Sequence, residues 1–306
     1  MDTPFEDTMT ADTRPADTPL DFPVTSSGVT MPSGPLSVDV VFKARPSEPL
    51  RPSPSPEGTM GTSIRPPIYA PEQHSTWTTL FKQQTAMLPG RVCQEYLDGR
   101  ACMDFPSDRV PHLAYASERL ERRTGWRVVR VNGYVPEDVF FKILGNKAFP
   151  CTDFIRHPDE LAYTPAPDMF HDLMGHLPMI TNPRFAGFFH EYGLAGLRAK
   201  NEDHVAMLGR IYWFTVEFGL INPTAHWGDR RDPSQSRIYG AGISSSVGEI
   251  LHSLSDKVVK EPFNIDKIAS TTFDIHEMQP RLFEISSFDE LEREFRRWSK
   301  EQGLAP

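Results

Sequence analysis

The stretch Leu208-Gly-Arg-Ile-Tyr-Trp-Phe-Thr-Val-Glu-Phe-Gly-Leu-Ile221 constrains this chain more than any other. Read as a helix, it is apolar almost all the way round and must be largely buried. That requires a domain with a sizeable core, and 306 residues suffice for one large domain or two small ones. Glu217 lies inside the run, with Trp213, Phe214, Leu220 and Ile221 three and four residues away. A lone buried carboxylate either neutralises or finds a positive partner. Two partners suit it: Arg210, seven residues upstream, or a divalent metal.

Charge and cysteine usage narrow the classes. Acidic residues number 41 against 32 basic, so the net charge is -9 and there is no general pull toward nucleic acid or anionic membrane. Cys93, Cys102 and Cys151 cannot all pair within the chain and lack CxxC spacing, so neither a disulfide scaffold nor a cysteine zinc site is expected. No apolar run is long enough to span a bilayer, and no basic-then-apolar leader opens the chain. The expected location is the cytoplasm. Residues 1–67 hold 13 of the 29 prolines and no tryptophan, and read as a disordered proline-rich leader.

Residues 68–300 read as one domain, mostly helical with minor strand content. Helices are expected over 72–88, in short pieces between 91 and 120, and over 136–144, 168–174, 183–198, 203–221, 245–255 and 289–302. Residues 126–131 have β character and end at the turn signal Asn132-Gly133. In the last helix Phe288, Leu291, Phe295 and Trp298 form one core-facing stripe.

The segment Pro167-Asp-Met-Phe-His-Asp-Leu-Met-Gly-His-Leu-Pro178 carries the chemistry. Asp168 is a capping residue, and Gly175 and Pro178 are expected to close a two-turn helix. His171 and His176 are five apart, which on an ideal helix separates them by about 140°. They converge only if Gly175 turns the chain and His176 lies at or beyond the helix end. The spacing also departs from HExxH, whose histidines are four apart. His171, His176 and Glu217 supply two imidazoles and a carboxylate. That set suits Fe(II) with open positions, or catalytic zinc with a water, and residue types leave both open. A zinc hydrolase and a non-catalytic helical protein are the alternatives from other classes. Arg156 beside an aromatic-rich segment could clamp a substrate carboxylate or make an ordinary ion pair. His190-Glu191 reads as a local polar patch. Residues 239–249 read as a close-packed Gly/Ser-rich loop leading into a helix, and are neither GxGxxG nor a P-loop.

Three blocks carry a resemblance: Tyr-Thr-Pro-Ala-Pro-Asp-Met-Phe-His-Asp-Leu-Met-Gly-His at 163–176, Ile-Tyr-Trp-Phe-Thr-Val-Glu-Phe-Gly-Leu at 211–220 and Tyr-Gly-Ala-Gly at 239–242. Over residues 68–298 the chain resembles the pterin-dependent aromatic amino acid hydroxylases, and among them the short bacterial members acting on phenylalanine. The resemblance implies their mainly helical single-domain catalytic fold, with an iron site in a deep cleft. It implies Fe(2+) as cofactor, a tetrahydropterin as co-substrate, and para-hydroxylation of L-phenylalanine to L-tyrosine with O2. It implies iron ligands at His171, His176 and Glu217, and substrate contacts at Arg156, Thr164, Trp213, Phe218, Gly242 and Ser245. Pterin contacts fall on Phe140 and Val135, within the loop 133–141, and on Asp172 and Glu249. Partners are then phenylalanine, O2, the pterin and separate pterin-recycling enzymes.

The resemblance bears on substrate choice and assembly too. Tryptophan hydroxylases usually carry phenylalanine where Trp213 stands, and tyrosine hydroxylases tend to carry aspartate where Ile275 stands. Phe218 with Gly242 is the pair of the para-hydroxylating members. A tryptophan 5-hydroxylase is the alternative within the family. The chain ends at Pro306 without the tetramerisation tail of animal members, so a monomer is expected. Residues 222–237 read as an insertion, either a surface excursion or a flap over the cleft.

Overall fold

The computed structural model describes residues 67–131, 135–161, 167–275 and 277–305. The leader apart from Pro67, the Asn132-Gly133 turn, residues 162–166 with Thr164, and His276 lie outside the described residues. The packed body begins at Tyr69, whose ring is buried and whose hydroxyl donates to the Asp153 carbonyl at 3.0 Å, while Ile68 is fully exposed.

Eleven named α-helices and six strands follow among the described residues. Helix α1 (Pro71–Met87) and helix α2 (Gln94–Met103) precede α3 (Leu113–Thr124), which leads into strand β1 (Arg127–Arg130). After α4 (Glu137–Gly145), strand β2 (Ala148–Cys151) pairs in parallel with β1. Helices α5 (Leu177–Ile180), α6 (Pro183–Gly196) and α7 (Glu202–Tyr212) form the centre. Strands β3 (Leu220–Ile221) and β4 (Arg237–Ile238) bracket the 222–237 segment, and α8 (Ala241–Ser244) and α9 (Val247–Ser253) follow. Strand β5 (Val259–Pro262), α10 (Ile265–Ser270), β6 (Arg281–Ile285) and α11 (Phe288–Glu301) complete the chain. The second sheet has the order β4-β3-β6-β5, antiparallel between β3 and β4 and parallel elsewhere.

Local chemistry explains the helix boundaries. Asn182 accepts from the Arg184 and Phe185 amides and Pro183 opens α6, so both favoured N-terminal signals coincide. Asn201 and Ser287 cap α7 and α11 in the same way. The stripe Phe288, Leu291, Phe295 and Trp298 on α11 is fully or nearly buried, as its spacing predicts. The core is rich in aromatic rings. Trp126 stacks on Phe189 of α6, and Phe188 meets Phe295 of α11 edge to face at 5.2 Å.

One expectation changes here. The helix expected over 203–221 stops short of Leu220, and Leu220–Ile221 pairs as a strand with β4 and β6. The insertion is anchored on the side of the second sheet. Arg231 donates through Nε to the fully buried Glu284 of β6 at 2.8 Å, Ser236 also donates to Glu284, and His226 pairs with Glu290 of α11. Trp227 stands out into solvent, 56 % exposed. None of these anchors is among the expected site residues. No described helix is long and apolar enough to cross a membrane.

Candidate metal centre and substrate cleft

Pro178 shapes the first ligand-bearing segment. It has no N–H to donate to the Met174 carbonyl four residues back, and its ring crowds that carbonyl. The backbone widens over His171–His176 into a π-helical turn and then continues directly as α5. This corrects the expectation of a helix closed at Gly175, which lies within the turn. A turn closed by i→i+5 bonds brings residues five apart onto one side, so the wide turn itself makes the histidines converge. Gly175 serves a different purpose: a Cβ there would lie 2.9 Å from the Ala241 carbonyl oxygen, so glycine lets α8 pack directly on the turn.

Glu217 arrives on a second π-helical turn, Trp213–Glu217, at the end of α7. The Thr215 hydroxyl takes the Ile211 carbonyl at 2.5 Å, intruding on the α-helical ladder. The Phe218 amide then reaches back five residues to the Trp213 carbonyl at 2.8 Å.

The three side chains meet. The Nε2 atoms of His171 and His176 are 3.0 Å apart, His176 Nε2 is 3.2 Å from Glu217 Oε1, and His171 Nε2 is 3.7 Å from Glu217 Oε2. Ligands about 2.1 Å from one ion would be spaced about 3.0 Å apart if perpendicular and about 3.4 Å if tetrahedral. The imidazole pair matches that spacing, each imidazole faces a different oxygen of Glu217, and one ligand atom from each of the three residues can be chosen within 4.8 Å of the others. No other metal-ligand cluster occurs among the described residues, and no fourth side chain joins this one. That is the pattern of a catalytic rather than a structural metal site. Arg210 is not the partner of Glu217; it donates to the Ala269 carbonyl at 3.0 Å.

Hydrogen bonding assigns the tautomer of His171. The Ser245 hydroxyl donates its proton to the Ala241 carbonyl at 2.7 Å, so its 2.9 Å contact with His171 Nδ1 is a bond that it accepts. The ring proton is therefore on Nδ1, and Nε2 presents a lone pair to the centre. Burial, more than the opposing pull of Glu217, pushes the His171 pKa down to about 4, so this ligand is neutral at pH 7. Burial alone would raise Glu217, but the imidazoles of His176 and His171 hold its carboxyl at about 2. The lone pair of His171 and the carboxylate of Glu217 both face His176 Nε2, whose proton is the one a cation would displace. Ser245→Ala removes the acceptor that orients His171. It is expected to weaken Co(II) binding to the metal-free protein about 10- to 100-fold, measured by titration, with the helical circular dichroism unchanged.

The other expected site residues that the structure describes have varied partners. Arg156 is buried, and its Nε and one Nη2 proton form a bidentate pair with Asp168, both at 2.8 Å. The other guanidinium edge, Nη1 with the second Nη2 proton, is not used by Asp168. Asp168 also accepts the Arg156 and His171 amides, at 3.0 Å each, so it joins the guanidinium to the ligand turn. Burial opposes ionisation of Asp168, yet the hydrogen bonds and charge of Arg156 leave its pKa lowered. Trp213 stacks on Phe273 and lies 4.6 Å from the Phe218 ring. A Cβ on Gly242 would come within 3.0 Å of that Phe218 ring and 3.2 Å of Glu217 Oε2, so glycine keeps the wall close to the ligand.

Phe140 presents its ring edge to face with Tyr212, whose hydroxyl is bonded to Glu217. Val135 is half-buried against the same core. Asp172 is buried and accepts the Thr152 amide and hydroxyl at 2.8 and 3.0 Å, while burial raises its pKa to about 7. Glu249 lies in the first turn of α9, half-buried, with burial raising its pKa. His190 leans toward the Leu144 carbonyl and Glu191 pairs with Arg296, so that pair is the local polar patch it resembles. Sequence reading missed Phe273, Tyr212 and Thr152, and saw Asp168 only as a cap. Asp168 alone had a local signal, its place before a helix. The others reach the centre through tertiary packing.

The family model of the biopterin-dependent aromatic amino acid hydroxylases matches residues 57–303. The phenylalanine-4-hydroxylase of Chromobacterium violaceum is 42% identical over 73% of this chain and 72% of its own length. A crystal structure of the Chromobacterium violaceum phenylalanine hydroxylase with bound iron(III) and 7,8-dihydrobiopterin superposes with a TM-score of 0.70 at 41% identity, covering 76% of this chain and 82% of that one. The apo cold-active phenylalanine hydroxylase of Colwellia psychrerythraea gives a TM-score of 0.72 at 33% identity, covering 82% and 91%. With its two imidazoles and carboxylate gathered as a metal site, the chain belongs to the biopterin-dependent aromatic amino acid hydroxylase family.

Proposed function

We propose that this protein is an iron- and tetrahydropterin-dependent monooxygenase that converts L-phenylalanine to L-tyrosine with O2. The observation that carries the reading is the open triangle of His171, His176 and Glu217 beside an aromatic wall, in a chain of this family. Bound Fe(II) and tetrahydropterin supply the electrons that activate O2. The protein's own part is placement. The edge of Arg156 that Asp168 leaves unused binds the amino acid carboxylate, the group to which the resemblance also assigns Thr164. Trp213 and Phe218, backed by Phe273, limit the space for the ring, and Gly242 keeps that wall near Glu217. Ser245 acts through His171 by fixing its tautomer, which differs from the carboxylate contact that the resemblance implies. Phe140, Val135, Asp172 and Glu249 line the pterin side.

Trp213 disfavours a second indole, and an apolar Ile275 favours phenylalanine over a ring already bearing hydroxyl. The same reading makes residues 68–300 the catalytic domain of a cytoplasmic monomer, preceded by a leader and served by separate pterin-recycling enzymes. The test is product analysis with phenylalanine, tyrosine and tryptophan, each with Fe(II), tetrahydropterin and O2. Tyrosine from phenylalanine is expected as the dominant product. Dominant 5-hydroxytryptophan, or turnover independent of oxygen and pterin, overturns the assignment.

A further inference from the structure

The wide turn that brings the histidines together has a carbonyl to satisfy. Met174 lies between the two ligands and is fully buried. Its α-helical donor would be the amide of residue 178, which is proline and has none. The Tyr96 hydroxyl of α2 bonds to the Met174 carbonyl, a side-chain donor on a buried carbonyl that Pro178 cannot serve. Tyr96 is itself fully buried, and its oxygen accepts from Gln84 Nε2 of α1 at 3.1 Å. Because the oxygen accepts there, its one proton is directed at Met174.

Gln84 also donates through Nε2 to the Ser244 carbonyl at 2.8 Å. That contact fixes the amide orientation, since a flipped amide would set its oxygen against the carbonyl oxygen of Ser244. Ser244 adjoins Ser245, the acceptor for His171 Nδ1. The contacts therefore close a ring: ligand turn, Met174, Tyr96, Gln84, Ser244, Ser245 and back to His171. The ring clamps the π-helical turn to α8, and both of its buried side chains come from helices that contribute no metal ligand.

We propose that Tyr96, held by Gln84, is a positioning residue for the metal centre, supplying a side-chain hydrogen bond to the Met174 carbonyl between the two ligands and so holding His171 and His176 in their converged arrangement. This rests on the metal-site reading of the triad, but its test separates the two. Tyr96→Phe keeps the ring and removes only the donor. In the metal-free protein its dissociation constant for Co(II) is expected to rise about 10- to 100-fold, the range found when groups supporting metal ligands are removed. The visible bands of bound Co(II) are expected to shift as the ligand set loosens. Gln84→Met is expected to act in the same direction but less strongly. The double variant should lose no more Co(II) affinity than Tyr96→Phe alone, because both act through one bond to Met174.

Co(II) affinity within twofold of the unsubstituted protein, with unchanged bands, would overturn the proposal even if Tyr96→Phe lowers the melting temperature. If Tyr96→Phe does not fold, Gln84→Met decides by the same two readings. Failure of the unsubstituted protein to bind Co(II) would instead strike the metal-site reading.

Discussion

Glu217→Gln is expected to lower iron affinity and hydroxylase activity by at least about a thousandfold while leaving the metal-free fold in place. The glutamine keeps the volume of the side chain and can still accept from the Tyr212 hydroxyl. What disappears is the charge. Glu217 is the anionic member of the triad, and His171 is neutral at pH 7 because burial holds its pKa near 4. A dication in so apolar a setting then loses its main neutralising group, where charge interactions are worth several kcal/mol. At about 1.36 kcal/mol per tenfold, that corresponds to the thousandfold loss. Iron content after anaerobic loading, together with tyrosine formation, measures it. A variant that holds stoichiometric iron and turns over at even a tenth of the normal rate would refute the triad.

Asp168→Asn is expected to cost about 3 kcal/mol of stability and to change the acid response. Arg156 is buried, and Asp168 is its charged partner on two guanidinium nitrogens. Removing one member of a buried pair leaves the other charge uncompensated, at about 3–5 kcal/mol. Asparagine retains some hydrogen bonding, which places the figure at the lower end. For a domain of this size the melting temperature should fall by about 6–12 °C. The pH sign follows from the lowered pKa of Asp168. Its stabilisation is fully present above the unfolded-state value of about 3.9. It is lost as pH falls from there through the lower folded value, because the unfolded chain takes up the proton first. Denaturant melts at pH 6 and pH 3 should therefore differ less for the variant than for the unsubstituted protein. Equal differences would show that the pair does not titrate in this way.

What could be read without coordinates divides along a physical line. The long periodic helices, the β character of 126–131 and the core stripe of α11 follow from side-chain spacing, and each stands close to its expected place. The short strands of the second sheet carry two to five residues each and gain their pairing from partners far away in sequence. No local window holds that information. The ligands were legible as residue types, because a carboxylate in an apolar helix calls for a cation. Their geometry was not, since an ideal helix separates His171 from His176, and the widening arises from a contest between Pro178, Met174 and the surrounding core. Zinc and iron remain equal on residue types, and family membership is what separates them. Asp168 shows the same division: its capping position is local, but its partner Arg156 stands 12 residues earlier in the chain.

The histidine spacing can be altered without disturbing the rest of the chain. Deleting one residue between the two imidazoles would place them four apart, side by side on an ordinary helix without any widening. Because the widened turn absorbs the extra residue as a bulge, the same deletion would leave the chain beyond it at nearly its present rotation and rise. Leu177, Met179 and Ile180 would keep their buried seats, and the rings of the helix starting at Pro183 their register with Trp126 and Phe295. The supernumerary residue is thus a local device: what it sets is the direction of the two imidazoles and the close approach of Gly175 to Ala241.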